Sequence, residues 1–147
     1  MKRDALPSRR AVLGAALLML PWAALAQEDA LAAAMREQVG DAEPQEGGIV
    51  LRVPAIAENG GQVPVSVIVP SPQTAAEHVT AIHLFATRNP TPGIASFRLT
   101  PLMARAEVQT RIRLAEDQRL IVLAQLSDGR VLRAAAEIRV TTGGCLT

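Results

Sequence analysis

From Val63 onward the chain reads Val-Pro-Val-Ser-Val-Ile-Val, with valine at every second position through Val69, and a second segment repeats the pattern. There Val108, Thr110, Ile112 and Leu114 fall on one side, and Glu107, Gln109, Arg111 and Arg113 on the other. Successive side chains of a strand point to opposite faces, so this period of two predicts strands with one dry and one wet face. Ile49, Leu51 and Val53 begin the pattern, Glu58-Asn59-Gly60-Gly61 turns the chain, and Pro64 points to an edge position for the valine strand. VTAIHLFAT from Val79 is apolar on both faces and reads as a central strand, followed by an Asn89-Pro90-Thr91-Pro92-Gly93 loop. Ala95, Phe97 and Leu99 alternate with Ser96, Arg98 and Thr100, and residues 119–127 join 131–140 through Asp128-Gly129, a hairpin dipeptide. Seven short strands in residues 49–140 predict an immunoglobulin-like antiparallel β-sandwich, with a small barrel as the alternative.

Before the strands, DALAAAMREQV from Asp29 to Val39 predicts a helix capped by Asp29, with Leu31, Met35 and Val39 on one side and Gly40 as its stop. Residues 41–48, DAEPQEGG, read as a linker, so residues 27–48 form a helix and linker ahead of the sandwich. Residues 1–26 read as a cleaved export signal: Lys2, Arg3, Arg9 and Arg10 precede an apolar run that ends in Ala24-Leu25-Ala26, giving a mature start at Gln27. The run from Ala11 is shorter than the roughly 20 residues of a bilayer span and carries Pro21, so no membrane association is expected. Ser8-Arg9-Arg10 before the apolar core has the form of a twin-arginine signal, a route for folded cargo and for partners without a signal of their own.

Cleavage there would leave 11 basic against 13 acidic side chains and Phe85 and Phe97 as the aromatics. A slightly acidic domain with two aromatics does not suit nucleic acid, which calls for basic surface and stacking rings. His78 and His83 are five residues apart, which puts them on opposite faces of a strand. Each reads as a structural histidine, so neither a metal site nor a cofactor is expected. Arg111, Arg113 and Glu107 read as a solvated face crossed by weak ion pairs, with a partner-facing sheet as the alternative. The edge and the Ile68 face of the valine strand raise the same alternative.

The one cysteine, Cys145, lies behind Gly143 and Gly144 in the ending VTTGGCLT. A staple would need a second thiol, and a metal would need more ligands. Residues 141–147 therefore read as a flexible arm, whose five residues from Val140 could carry the thiol about 17 Å from the sheet. A thiol so placed could act as a thiolate in another protein's cleft, cross-link subunits through an intermolecular disulfide in an interaction module, or be incidental. No pairing of acid and base points to a hydrolase acting alone.

The chain resembles SoxY, the sulfur-carrier subunit family of the bacterial thiosulfate-oxidising Sox system. The segments that carry the likeness are SRRAVL, IVLRVPAIAENGGQVPVSV, HLFATRNPTPGIASFRL, TRIRLAEDQ, LSDGR and the terminal GGC. The family's carrier cysteine sits in a Gly-Gly-Cys-Gly-Gly arm, which Gly143, Gly144 and Cys145 match and Leu146 and Thr147 depart from. The resemblance implies a periplasmic carrier, not itself an enzyme, that holds sulfur intermediates covalently on Cys145. It implies an immunoglobulin-like fold and a SoxZ-like subunit, exported alongside, as heterodimer partner. SoxAX-type haem proteins would load thiosulfate, a SoxB-type hydrolase would release sulfate, and a SoxCD-type dehydrogenase, where present, would oxidise the remaining sulfane sulfur.

Overall fold

Two sheets face each other across an aliphatic core, and one helix lies on the outer side of the larger sheet. The computed structural model describes residues 22–142. The chain is already helical at Trp22, and α1 runs Trp22–Val39. Nine strands follow: β1 Gln45–Glu46, β2 Val50–Arg52, β3 Ile56–Ala57, β4 Val63–Val69, β5 Val79–Ala86, β6 Gly93–Arg98, β7 Ala106–Ile112, β8 Gln118–Leu126 and β9 Val131–Val140. The larger sheet is ordered β1-β9-β8-β5-β6, with β3 also paired to β9, and the smaller is β2-β4-β7. The expected antiparallel β-sandwich of immunoglobulin-like kind is therefore present, with its N-terminal helix.

The patterning explains the layers. Val63, Val65, Val67 and Val69 of β4, with Val108 and Ile112 of β7, point inward from the small sheet. They meet Val79, Ile82 and Leu84 of β5 and Leu120, Val122 and Ala124 of β8. The central strands β5 and β8 are apolar on both sides because their other face is covered too. Phe85, Ile121, Leu123 and Val131 receive Leu31, Ala34, Met35 and Val39 of α1. The helical spacing read from the sequence is thus the face that docks, and Gly40 ends the helix at a φ of 65° with its N–H bonded to the Arg36 carbonyl.

Four expectations change. Asp29 is not a helix cap, because α1 already runs through residues 22–28 and Asp29 lies exposed within it. The strand count is nine, since two-residue strands too short and too polar to show a period, β1 and β3, pair in parallel with β9. Residues 41–48 are accordingly not a free linker: Gly47 donates to the Arg133 carbonyl at 2.9 Å, and Glu46 pairs with Arg133. Gly48, at a φ of 73°, faces Leu132 so closely that an added Cβ would lie 2.8 Å from its Cδ1. Lastly, β4 is the middle strand of its sheet, not an edge. Pro64 is tolerated because β2 covers only Ser66–Ile68, so the proline lies in a local opening of a central strand.

The small sheet's outer face is wet, as expected, but among the described residues Glu107, Arg111 and Arg113 make no ion pairs there. Gln109 donates to Glu107 at 2.8 Å and Arg111 reaches the neutral Gln62 at 3.5 Å. Among the described residues, no helix is long and apolar enough to cross a membrane.

Candidate functional site

Cys145, Gly143 and Gly144 lie outside the described residues, so the site is built up to the point from which they leave. That point is the end of β9. Ile138 is the last β9 residue paired with β8, opposite Gln118, which leaves residues 139–142 running past the neighbouring strand. A strand end of this kind would expose unpaired backbone groups. Here nearly every one is caught. β3 pairs in parallel with Arg139 and Val140, Arg139 N–H donates to the Ala55 carbonyl at 3.0 Å, and Val140 N–H donates to the Asp117 carboxylate at 2.7 Å. Thr141 donates from its backbone to Ala57 at 3.0 Å and from its hydroxyl to Glu58 at 3.2 Å. Gly60 N–H then donates to the Thr142 carbonyl at 2.8 Å.

The Glu58-Asn59-Gly60-Gly61 turn therefore does more than reverse the chain. Asn59 folds its side-chain oxygen back onto the Gly61 N–H at 2.8 Å, as asparagine commonly does in turns. Gly60 is buried, and its carbonyl accepts the Leu114 N–H at 2.8 Å, so one residue links the end of β9 to the end of β7. Among the described residues these ties reach as far as Thr142. Cys145 is three positions further along the sequence, a distance of about 10 Å at full extension.

A buried polar cluster holds the β7–β8 connection that supplies Asp117. Asn89, 6% exposed, donates to the Arg113 carbonyl at 2.8 Å and accepts from the Ala115 N–H at 3.1 Å and from Gln118 Nε2 at 2.8 Å. Gln118, also buried, accepts the Arg88 N–H at 2.8 Å. Each is a long-range tie in which a polar side chain replaces sheet hydrogen bonds the loops cannot form. Sequence reasoning assigned Asn89 to a loop without this role. An Asn-Pro dipeptide signals a turn but does not say that the asparagine turns inward.

The histidines are not brought together at this site. His83, 5% exposed, lies between Ser96 Oγ at 2.8 Å and Gln125 Oε1 at 3.1 Å, beneath the end of α1, where Gln125 also donates to the Gln38 carbonyl. It is a core histidine with both ring nitrogens engaged. His78, just ahead of β5, contacts the Thr74 carbonyl through Nδ1 at 3.0 Å. Among the described residues no three His, Cys, Asp or Glu side chains are grouped to hold a metal. Asp128 lies in the hairpin turn after β8. The Arg130 backbone N–H and then its guanidinium hold Asp128 below the ordinary carboxylate range.

Comparison with known proteins adds a family to this geometry. The family model for sulfur oxidation protein SoxY matches residues 35–145, a span that includes Cys145. The solved sulfur carrier protein SoxY from Chlorobium limicola f thiosulfatophilum is 36% identical over 78% of this chain and 98% of its own, with a TM-score of 0.65. A superoxide reductase (neelaredoxin) from Ignicoccus hospitalis is 21% identical over 63% of this chain and 78% of its own, with a TM-score of 0.57, and shares the fold alone. A putative superoxide reductase from Thermotoga maritima, 17% identical over 67% of this chain and 87% of its own, likewise shares the fold, with a TM-score of 0.56. The comparison with curated proteins found no match. With its model spanning the end of α1, the sandwich and the terminal Gly-Gly-Cys, SoxY is the family of sulfur carriers to which this chain belongs.

Proposed function

We propose that the chain is a periplasmic carrier that holds sulfur intermediates of thiosulfate oxidation covalently on Cys145 while separate enzymes act on them. The observation that carries this reading is the base of the C-terminal segment. Hydrogen bonds from Ala57, Glu58, Gly60 and Asp117 follow the chain as far as Thr142, and then Gly143 and Gly144, which carry no side chain, lead to the family-matched thiol. Such a layout suits handing a thiol to another protein. A thiolate is both the nucleophile and the leaving group of sulfur transfer.

The partners follow from the same reading. A SoxZ-like subunit would pair with the domain, and SoxAX-, SoxB- and SoxCD-like enzymes would load, hydrolyse and oxidise the cargo in turn. Export by the twin-arginine route would bring a signal-less partner along. Cleavage after Ala26 is supported by the helix itself, since Trp22 and Leu25 are 89% and 61% exposed and the docked face begins with Leu31.

Mass spectrometry of the chain from thiosulfate-grown cells should show sulfur adducts on Cys145 that a reductant removes. Cys145→Ser cells should lose thiosulfate oxidation while keeping the folded protein. Normal oxidation in those cells, or a working form that is only a reducible disulfide dimer, would overturn the carrier reading.

A further inference from the structure

The Glu58-Asn59-Gly60-Gly61 turn places the two halves of a chemical reaction side by side and holds one of them shut. Asn59 is exposed and is followed directly by glycine, the residue that least hinders its own backbone nitrogen. Asparagine is a labile side chain, because the next backbone nitrogen can attack its carbonyl carbon and close a ring. In this turn the carbonyl is primed. Asn59 Oδ1 accepts the Gly61 N–H at 2.8 Å, a donor aimed at the oxygen on which negative charge develops during attack. The nitrogen, by contrast, is latched. Gly60 is buried and its N–H donates to the Thr142 carbonyl at 2.8 Å, so the proton that must leave is bonded within the fold. The chain's other asparagine, Asn89, is buried and is followed by Pro90, whose nitrogen carries no proton to give up.

We propose that Asn59 is a site of spontaneous deamidation held in check by the Thr142 tie, and that its conversion to isoaspartate unfastens the end of β9. In the first step the Gly60 nitrogen gives its proton to water or hydroxide and bonds to Asn59 Cγ, and ammonia leaves. The resulting succinimide takes up a water molecule and opens to aspartate or to isoaspartate, with no oxidant or reductant involved. While the ring stands its nitrogen has no hydrogen, so the bond to Thr142 is lost. Opening to aspartate restores the backbone and leaves an oxygen to accept from Gly61. Opening to isoaspartate adds a methylene to the main chain. Gly60 then no longer meets both of its partners, the Thr142 carbonyl through its N–H and the Leu114 N–H through its carbonyl. The new carboxylate also stands next to Glu58 in the chain and adds like charge to the turn. Latch and damage reinforce each other: a loosened strand end speeds the reaction, and the isoaspartate form keeps the end loose.

The test compares the full chain with Thr141→Pro in mildly alkaline buffer. The substitution removes the Thr141 N–H bond to Ala57 and its hydroxyl bond to Glu58, and so loosens the Thr142 carbonyl. Peptide mass spectrometry follows conversion at position 59, and electron-transfer fragmentation separates aspartate from isoaspartate. Thr141→Pro should convert about two- to tenfold faster than the parent, the factor that one hydrogen bond supplies, and Gly60 amide exchange should rise alongside. Unchanged exchange at the β5 and β8 amides shows that the variant is folded, and Thr141→Val, which drops only the hydroxyl contacts, should give an intermediate rate. In the modified chains, Leu114 amide exchange should rise with isoaspartate and stay at the parent's value in Asn59→Asp. Equal conversion in parent and Thr141→Pro would overturn the latch. Absence of conversion in the loosened chain would overturn the site, and parent-like Leu114 exchange in the isoaspartate form would overturn the unfastening.

Discussion

Asn89 shows how a single buried amide can govern a distant functional element. Its side chain closes three hydrogen bonds between the β5–β6 loop, the end of β7 and Gln118, and the connection it fixes carries Asp117, which grips Val140. Truncation to alanine would take a partner from the buried Gln118 amide and from the part-buried Arg113 carbonyl and Ala115 N–H, a buried group left unpaired costing about 1–3 kcal/mol. Asn89→Ala should therefore destabilise the domain by about 2–3 kcal/mol in urea unfolding, with far-UV spectra unchanged before the transition. None of this was legible in the sequence, because hydrogen-bond closure depends on where three loops meet. His83 is the contrasting residue. Its place in an apolar strand marked it as structural, and the Ser96 and Gln125 contacts agree.

Among the elements, α1 was legible through its four-residue spacing, since the face that repeats is the face that docks on Phe85, Ile121, Leu123 and Val131. Its start was not, because residues 11–26 and the helix share the same apolar, alanine-rich composition. Leu31→Ala removes about half-buried apolar contact and should cost about 1–2 kcal/mol, with increased binding of a hydrophobic dye as the sheet face is uncovered. Trimming residues 22–26 should change neither measurement. The alternating strands were legible for the same physical reason as the helix: one face buried and one wet imposes a period. β1 and β3 escaped because two residues carry no period, and β4 was misplaced because its proline answers to a gap in β2 and not to a sheet edge.

For the whole molecule, the described ties at the end of β9 reach Thr142. Removing residues 143–147 should leave the unfolding midpoint within about 0.5 kcal/mol of the parent, as for changes outside the packed structure. A cut before Arg139 also removes the ties to Ala55, Ala57, Gly60 and Asp117, and should cost about 2–5 kcal/mol. Urea titration of the two truncations separates them. The thiol behind two glycines was legible in the sequence, but the ties to Thr141 and Thr142 were not, since they come from a turn distant along the chain. The tie at Gly60 also acts as a depth gauge for whatever meets the thiol. An enzyme whose reacting group lies within about 10 Å of its rim can be served by the segment alone. On the proposed carrier reading, one built deeper would meet the shoulder formed by Glu58, Gly60 and Thr142, and the shape of that shoulder would then enter into how carrier and enzyme select each other.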